Sequence, residues 1–344
     1  MNILVIRFGS LGDVVLTLPA IQLLRDAAPT ARITMSVKKE YGSLFTGNTA
    51  VDQVTCLDHE GEHRGFRGLR EYADELRKES FDVIVDLHRS VRSRFLTHLL
   101  RGPRVFRVSQ HRLRRQALVH FKKPLLGYPG HAAERYLAAA SAAAGPCVAP
   151  PLDRIPHLKV PAGVRTRAEE ILRAGGANGQ SRFAAIAPGA GRGTKRWFPE
   201  RFAALARRLA EERSFRVAVI GSDGEADLVC SIVEQAGVDG VFPHVCSDLM
   251  LQGALLSRVS ALATNDSGLM HLGVAAGTTV TAIFGSTTPS LGFYPLGERD
   301  RILSVPMDCR PCSLHGLDEC PRGNFACMDK ISVDRVYRAM AEIE

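Results

Sequence analysis

Short runs of branched apolar residues alternate with stretches of helical period along this chain, and the alternation runs twice, broken once by a proline-rich segment. The run Asn2–Ile6 leads into a glycine-bearing loop, then into a helical pattern over residues 13–27 with Val14, Leu18, Ile21 and Leu24 on one face. Residues 33–37, 54–57 and 83–86 read as further strands, and 69–78 as a helix. Alternation of this kind specifies a parallel sheet with helices on both faces. Between residues 145 and 161 five prolines fall in a stretch with little periodicity, which reads as a domain boundary. The pattern then restarts, with strands at 184–187, 216–220, 261–264 and 280–284 and helices at 199–212, 226–236 and 269–276. A last helical period covers 333–343. The fold class expected is α/β: two doubly wound domains, residues 1–155 and 156–328, followed by a C-terminal helix within 329–344.

At 45% hydrophobic and 23% charged residues the composition is that of a folded globular chain. No apolar run approaches the roughly 20 residues needed to span a bilayer, and the first is cut short by Arg7. Eight cysteines in a chain of this length, without a secretion signal, read as reduced thiols or a metal site, so the compartment expected is the cytoplasm. The formal net charge is +8, and residues 89–123 contribute eleven Arg and Lys with no Asp or Glu. Such a stretch calls for an anionic partner or open solvent. No zinc finger, RNA-binding sheet signature or recognition-helix motif is present, so nucleic acid is not the expected partner; phosphorylated lipid or glycan fits better, with peripheral contact at the inner membrane.

Three loops carry the chemistry. The first, Arg7-Phe8-Gly9-Ser10-Leu11-Gly12-Asp13, follows the first strand, where open α/β sheets place their ligands. Its Gly-x-x-Gly-Asp spacing matches neither the dinucleotide fingerprint nor the phosphate loop. Asp13 is either a first-turn carboxylate favoured by the helix dipole or a base for an attacking hydroxyl. The second loop, residues 188–197, is rich in glycine and carries Lys195 and Arg196, suited to a phosphate. In the third, Asp266, Ser267, Gly268 and His271 open a helix, where an anion is physically natural; His271 is either packed or a donor to a diphosphate. Glu225 follows another strand, as a helix first-turn residue or as an acceptor for sugar hydroxyls.

In Arg7–Ala20 (RFGSLGDVVLTLPA), Pro188–Phe202 (PGAGRGTKRWFPERF) and Asn265–Thr288 (NDSGLMHLGVAAGTTVTAIFGSTT) the chain resembles the heptosyltransferases of glycosyltransferase family 9. The resemblance implies a GT-B fold, two Rossmann-like domains facing a cleft, with the final helix returning to the first domain. It implies inverting transfer of heptose from ADP-heptose to a lipopolysaccharide inner-core or lipid A-linked acceptor, with no cofactor. By the same resemblance Asp13 is the general base, Lys195 the diphosphate lysine, Glu225 the ribose contact, and Asp266, Ser267, Gly268 and His271 the sugar-nucleotide loop. Ser10, Gly12 and Arg92 are acceptor contacts. Ala190 and Gly191 stand where some relatives carry threonines, so backbone amides replace hydroxyls there.

Cys309-x-x-Cys312, Cys320 and Cys327 form a thiolate set of the kind zinc or iron prefers, but the second pair lacks the spacing of a zinc ribbon, which leaves a metal unassigned. No Asp-x-Asp pair is present to hold a divalent ion on a diphosphate. Three other readings remain at this stage: a related transferase with another sugar or acceptor, a nucleotide-sugar epimerase, and a non-catalytic binding protein.

Overall fold

The computed structural model describes residues 1–151, 153–176 and 182–341, in two compact units, one of Met1–Gln110 with Gly130–Lys159 and one of His111–Pro129 with Val160–Glu344. In the first unit β1 (Asn2–Ile6), α1 (Leu11–Val15), α2 (Leu18–Ala27), β2 (Arg32–Lys38), β3 (Gln53–Leu57), α3 (Gly65–Arg77), β4 (Val83–Asp86), α4 (Val91–Leu99) and β5 (Arg104–Arg107) follow in order. Next come α5 (Arg112–Phe121), which groups with the second unit, and α6 (Ala132–Ala144), which returns to the first. The sheet has the order β3-β2-β1-β4-β5, all parallel. Its inner strands β2, β1 and β4 are buried on both faces, as in helix-covered parallel sheets, while the edge strands β3 and β5 are only partly so; Leu4, Ile6, Phe8, Tyr72, Ile84 and Leu96 form one core.

The single helix expected over 13–27 is two. Pro19 in the first turn of α2 has no N–H to continue α1, and the Thr17 hydroxyl donates to the Val14 carbonyl at 2.6 Å, closing α1.

The second unit runs α7 (Ala162–Ala174), β6 (Arg182–Ala187), α8 (Pro199–Arg213), β7 (Phe215–Gly221), α9 (Ala226–Ala236), β8 (Val241–Val245), α10 (Leu249–Leu256), β9 (Ala261–Asn265), α11 (Gly268–Ala275), β10 (Thr279–Phe284), β11 (Arg301–Ser304), α12 (Ala326–Asp329) and α13 (Val333–Ala341). Its parallel sheet has the order β11-β10-β9-β6-β7-β8. Both sheets are therefore doubly wound, and in each the order reverses beside the unit's first strand.

Two boundaries differ from the sequence reading. The change of unit falls at Lys159 and Val160, and residues 111–129 join the second unit. The final helix, expected to return to the first domain, has its apolar side in the second unit's core: Val336, Tyr337, Ala339 and Met340 share a cluster with Leu205 and Leu209 of α8, and Arg208 lies 3.9 Å over the Tyr337 ring. The far end of that predicted helix, Ile343, lies outside the described residues. No described helix is long and apolar enough to cross a membrane.

Candidate functional site

Doubly wound sheets bind ligands beyond the carboxyl ends of their strands, where the strand order reverses. In the first unit that point lies between β1 and β4. Here Asp13, in the first turn of α1, makes no capping hydrogen bond through Ser10, the N-cap residue, whose backbone is extended. Its carboxylate instead pairs with Arg7 Nη2 at 2.5 Å, and accepts from Ser10 Oγ at 3.1 Å and from the Tyr136 hydroxyl of α6 at 2.5 Å. Asp13 is thus a first-turn carboxylate of α1 that also sits in this built cluster. Of the Asp13 side chain, 15% remains accessible.

The neighbours are held in definite charge states. Arg7 donates to the Leu87 carbonyl at 2.9 Å; burial works against its charge, but Asp13, with Tyr136 and Asp86, more than offsets this and keeps the guanidinium ionised. Burial, with Asp13 nearby, pushes the Tyr136 hydroxyl well up, so it stays protonated and donates. Burial and the Arg7 charge push the His88 imidazole down to about 3, so it is neutral at ordinary pH. Gly12 is buried in α1. Arg92 is exposed in the first turn of α4, close enough to His88 to help depress it.

The basic stretch over 89–123 is not one surface. Arg89 donates to the Val108 carbonyl at 3.0 Å, and Arg107 donates to Thr97 at 2.9 Å and pairs with buried Asp86 at 3.7 Å. These cations serve the fold of the first unit. Those from Arg112 onward belong to the second.

In the second unit the order reverses between β6 and β9, and the loops after these strands are the two expected to hold phosphate. Lys195 Nζ meets Asp266 Oδ2 at 2.8 Å, and the Thr287 hydroxyl donates to the same carboxylate oxygen at 2.6 Å. Asn265 ties the loops together, its amide donating to Pro188 O at 2.7 Å and its carbonyl accepting from Trp197 N at 3.0 Å. Arg196, expected to neutralise phosphate beside Lys195, is turned back on its own loop by a 2.9 Å bond to Ala190 O. Thr194 Oγ1 lies 2.8 Å from both Ser286 Oγ and Leu317 O, and the Lys195 stem packs on Gly316, where an added Cβ would sit 2.8 Å from Lys195 Cγ. Ser267 is the N-cap of α11 without a side-chain cap bond, so the partly exposed helix start over 267–269 keeps amides for an anion. His271 is buried, its ring 6.4 Å from that of Phe293.

Glu225 fits its helix-start reading. Its Oε2 accepts from Ser222 N at 2.9 Å and Ser222 Oγ at 2.8 Å, a capping box ahead of α9. Its Oε1 lies against Gly189 so closely that any Cβ there would run into the carboxylate. Gly189→Ala is therefore expected to displace the Glu225 carboxylate, the mobile end of its side chain, from Ser222 and to cost the capping box, about 0.5–2 kcal/mol, read as a lower Tm; Glu225→Ala should cost a similar amount and the double variant no more. An unchanged Tm in the single variant would contradict this close approach.

Cys309, Cys312 and Cys320 are partly buried and Cys327 is buried. Burial pushes the Cys312 and Cys327 thiols up. Among the described residues no three His, Cys, Asp or Glu side chains are placed to hold a metal ion. The segment's visible service is mechanical: Cys312 N donates to Ser286 O at 2.8 Å, and buried Arg310 donates to Thr287 O at 2.5 Å, fixing the loop whose Thr287 holds Asp266.

Sequence reasoning placed Asp13, Lys195, Asp266 and Glu225 in loops but assigned no role to Arg7, Tyr136 or Thr287. Arg7 carried a signal, a lone cation closing a buried strand; Tyr136 and Thr287 are recognisable only through the fold.

The profile of glycosyltransferase family 9 (heptosyltransferase) matches residues 69–318, and no curated protein sequence matches. Among solved structures, a family 9 glycosyl transferase from Veillonella parvula DSM 2008 is 22% identical, with a TM-score of 0.83 over 99% of this chain and 96% of that one. The E. coli ADP-heptose lipopolysaccharide heptosyltransferase II is 19% identical, with a TM-score of 0.75 over 100% and 98%. E. coli heptosyltransferase WaaC with ADP-2-deoxy-2-fluoro heptose is 18% identical, with a TM-score of 0.73 over 100% of both chains. The fold is thus of the GT-B type.

Proposed function

Since the chain belongs to glycosyltransferase family 9 and is a glycosyltransferase, we propose that it transfers heptose from ADP-heptose to an inner-core acceptor of lipopolysaccharide, at the cytoplasmic face of the membrane. The observation that carries this reading is the Asp13 carboxylate, fixed by Arg7, Ser10 and Tyr136 and still partly accessible. The likeness to structures described as ADP-heptose enzymes supports the choice of donor.

In the proposed step the acceptor hydroxyl oxygen bonds to the anomeric carbon as the bond from that carbon to the diphosphate oxygen breaks. The electron pair leaves on ADP, and the hydroxyl proton passes to Asp13. Its ion pair with Arg7 favours the carboxylate that this task needs. Single displacement inverts the anomeric configuration. Charge grows on the departing diphosphate, so Lys195 and the amides at the start of α11 stabilise the transition state more than the bound donor. Glu225 Oε1, beside Gly189, is the acceptor proposed for the ribose hydroxyls, while Ser10, Gly12 and Arg92 are proposed to line the acceptor. No cofactor is proposed, because Lys195 and the backbone supply the charge that an Asp-x-Asp-bound cation supplies elsewhere.

Donor choice is tested with a panel of ADP-heptose, other ADP-sugars and UDP-sugars, each with heptose-deficient lipopolysaccharide. ADP-heptose is expected to give the highest kcat/KM. Preference for a UDP-sugar would overturn the donor assignment while leaving the transferase in place.

A further inference from the structure

Nine large apolar side chains are exposed among the described residues, and five of them, Leu113, Phe121, Leu125, Leu126 and Tyr128, fall within residues 113–128, each 54% to 74% exposed. The same excursion, residues 111–129, carries Arg112, Arg114, Arg115, Lys122 and Lys123 and no Asp or Glu. It is a built structure. His111 Nδ1 lies 2.7 Å from Pro129 O, and Arg114 Nη1 donates to Tyr128 O at 3.3 Å, so its two ends are clasped. Between them α5 ends at Lys122, which has a positive φ of 58°. Bonds from Leu125 N to Lys123 O at 2.9 Å and from Gly127 N to Pro124 O at 2.8 Å then turn the chain so that Leu125 and Leu126 stay exposed. Anchors lie on the other side: Ala117 and Leu118 are buried, Arg115 stacks 5.3 Å from the Phe293 ring, and Lys122 Nζ donates to Pro311 O at 2.7 Å.

A soluble surface does not gather five large apolar groups at one place without a partner. The charge selects the partner. In a two-fold contact with a second copy the patch meets itself, setting these cations against one another. Three of the five are aliphatic leucines, which give no stacking platform for nucleic acid. An anionic bilayer satisfies both features, since its acyl boundary takes Leu and Phe while its phosphates take Arg and Lys. We propose that residues 111–129 dock the protein on an anionic lipid surface, with Phe121, Leu125 and Leu126 entering the boundary between headgroups and acyl chains. This deepens the reading above, in which the acceptor is anchored in a membrane.

The test is co-sedimentation with vesicles of phosphatidylcholine alone and of phosphatidylcholine with phosphatidylglycerol, which needs no acceptor. The wild type should partition onto the anionic vesicles, more weakly at high salt. Leu125→Ser with Leu126→Ser should lower the partition about tenfold or more, and Arg112→Glu with Lys123→Glu by a similar factor. Transfer to heptose-deficient core oligosaccharide freed of lipid A should be unchanged in both, which also reports that they fold. Partition equal to wild type in both variants, absence of wild-type binding, or a dimer in solution that the serine variant abolishes would each overturn the docking surface. If vesicle binding holds but no oligosaccharide is modified, the proposed function fails alone; if transfer proceeds without vesicle binding, only the docking proposal fails.

Discussion

Asp13→Asn is expected to lower acceptor-dependent turnover about 10²- to 10⁴-fold while leaving the Kd for ADP unchanged. The amide cannot take a proton from the attacking hydroxyl, yet it fills the same space and its oxygen can still accept from Tyr136. The substitution also has a structural consequence. Arg7, 8% exposed, loses its counter-charge while keeping the Leu87 carbonyl as an acceptor. Breaking a buried pair from one side costs about 3–5 kcal/mol, so Tm should fall as well, and turnover is to be compared at temperatures where both proteins are folded. Tyr136→Phe separates the two effects. It removes one donor from the carboxylate but leaves the base, so its turnover loss should be much smaller. Equal losses in the two variants would mean that Asp13 serves only to organise Arg7 and Tyr136.

Lys195→Met should raise the Kd for ADP about 10²-fold or more. The ammonium is lost from the diphosphate, and Asp266, now without its 2.8 Å partner, is left as a carboxylate facing an anion; truncating one member of such a pair costs about 2–5 kcal/mol. The second contribution makes the prediction specific. Asp266→Asn added to Lys195→Met should recover part of the affinity, because the repulsion goes with the charge. A double-mutant cycle reads this coupling directly. If titration calorimetry shows ADP affinity unchanged in Lys195→Met, the diphosphate does not lie at this loop.

Much of the fold was legible because helix-covered parallel strands are continuous branched runs and every glycine loop followed one. α9, Ala226–Ala236, lies where its period placed it. What escaped notice did so for physical reasons. α6, Ala132–Ala144, is so rich in alanine that it shows little apolar period, and with it went Tyr136, which reaches Asp13 across 123 positions of sequence. The helix broken at Pro19 shows apolar spacing that survives the break. The last helix has the strong amphipathic period expected of it, but period does not say which surface receives the apolar face, and α8 does. Charge counting ran residues 89–123 together, although Arg89 and Arg107 are engaged within the first unit and Lys122 within the second.

The single most direct measurement of the account is the stoichiometry of ADP release against glycosyl gain on the acceptor, followed by mass spectrometry with ADP-heptose and heptose-deficient lipopolysaccharide. The account predicts one ADP released per heptose gained, with negligible release when acceptor is omitted. ADP released without any gain in acceptor mass, or donor converted to an isomer without release, would contradict it.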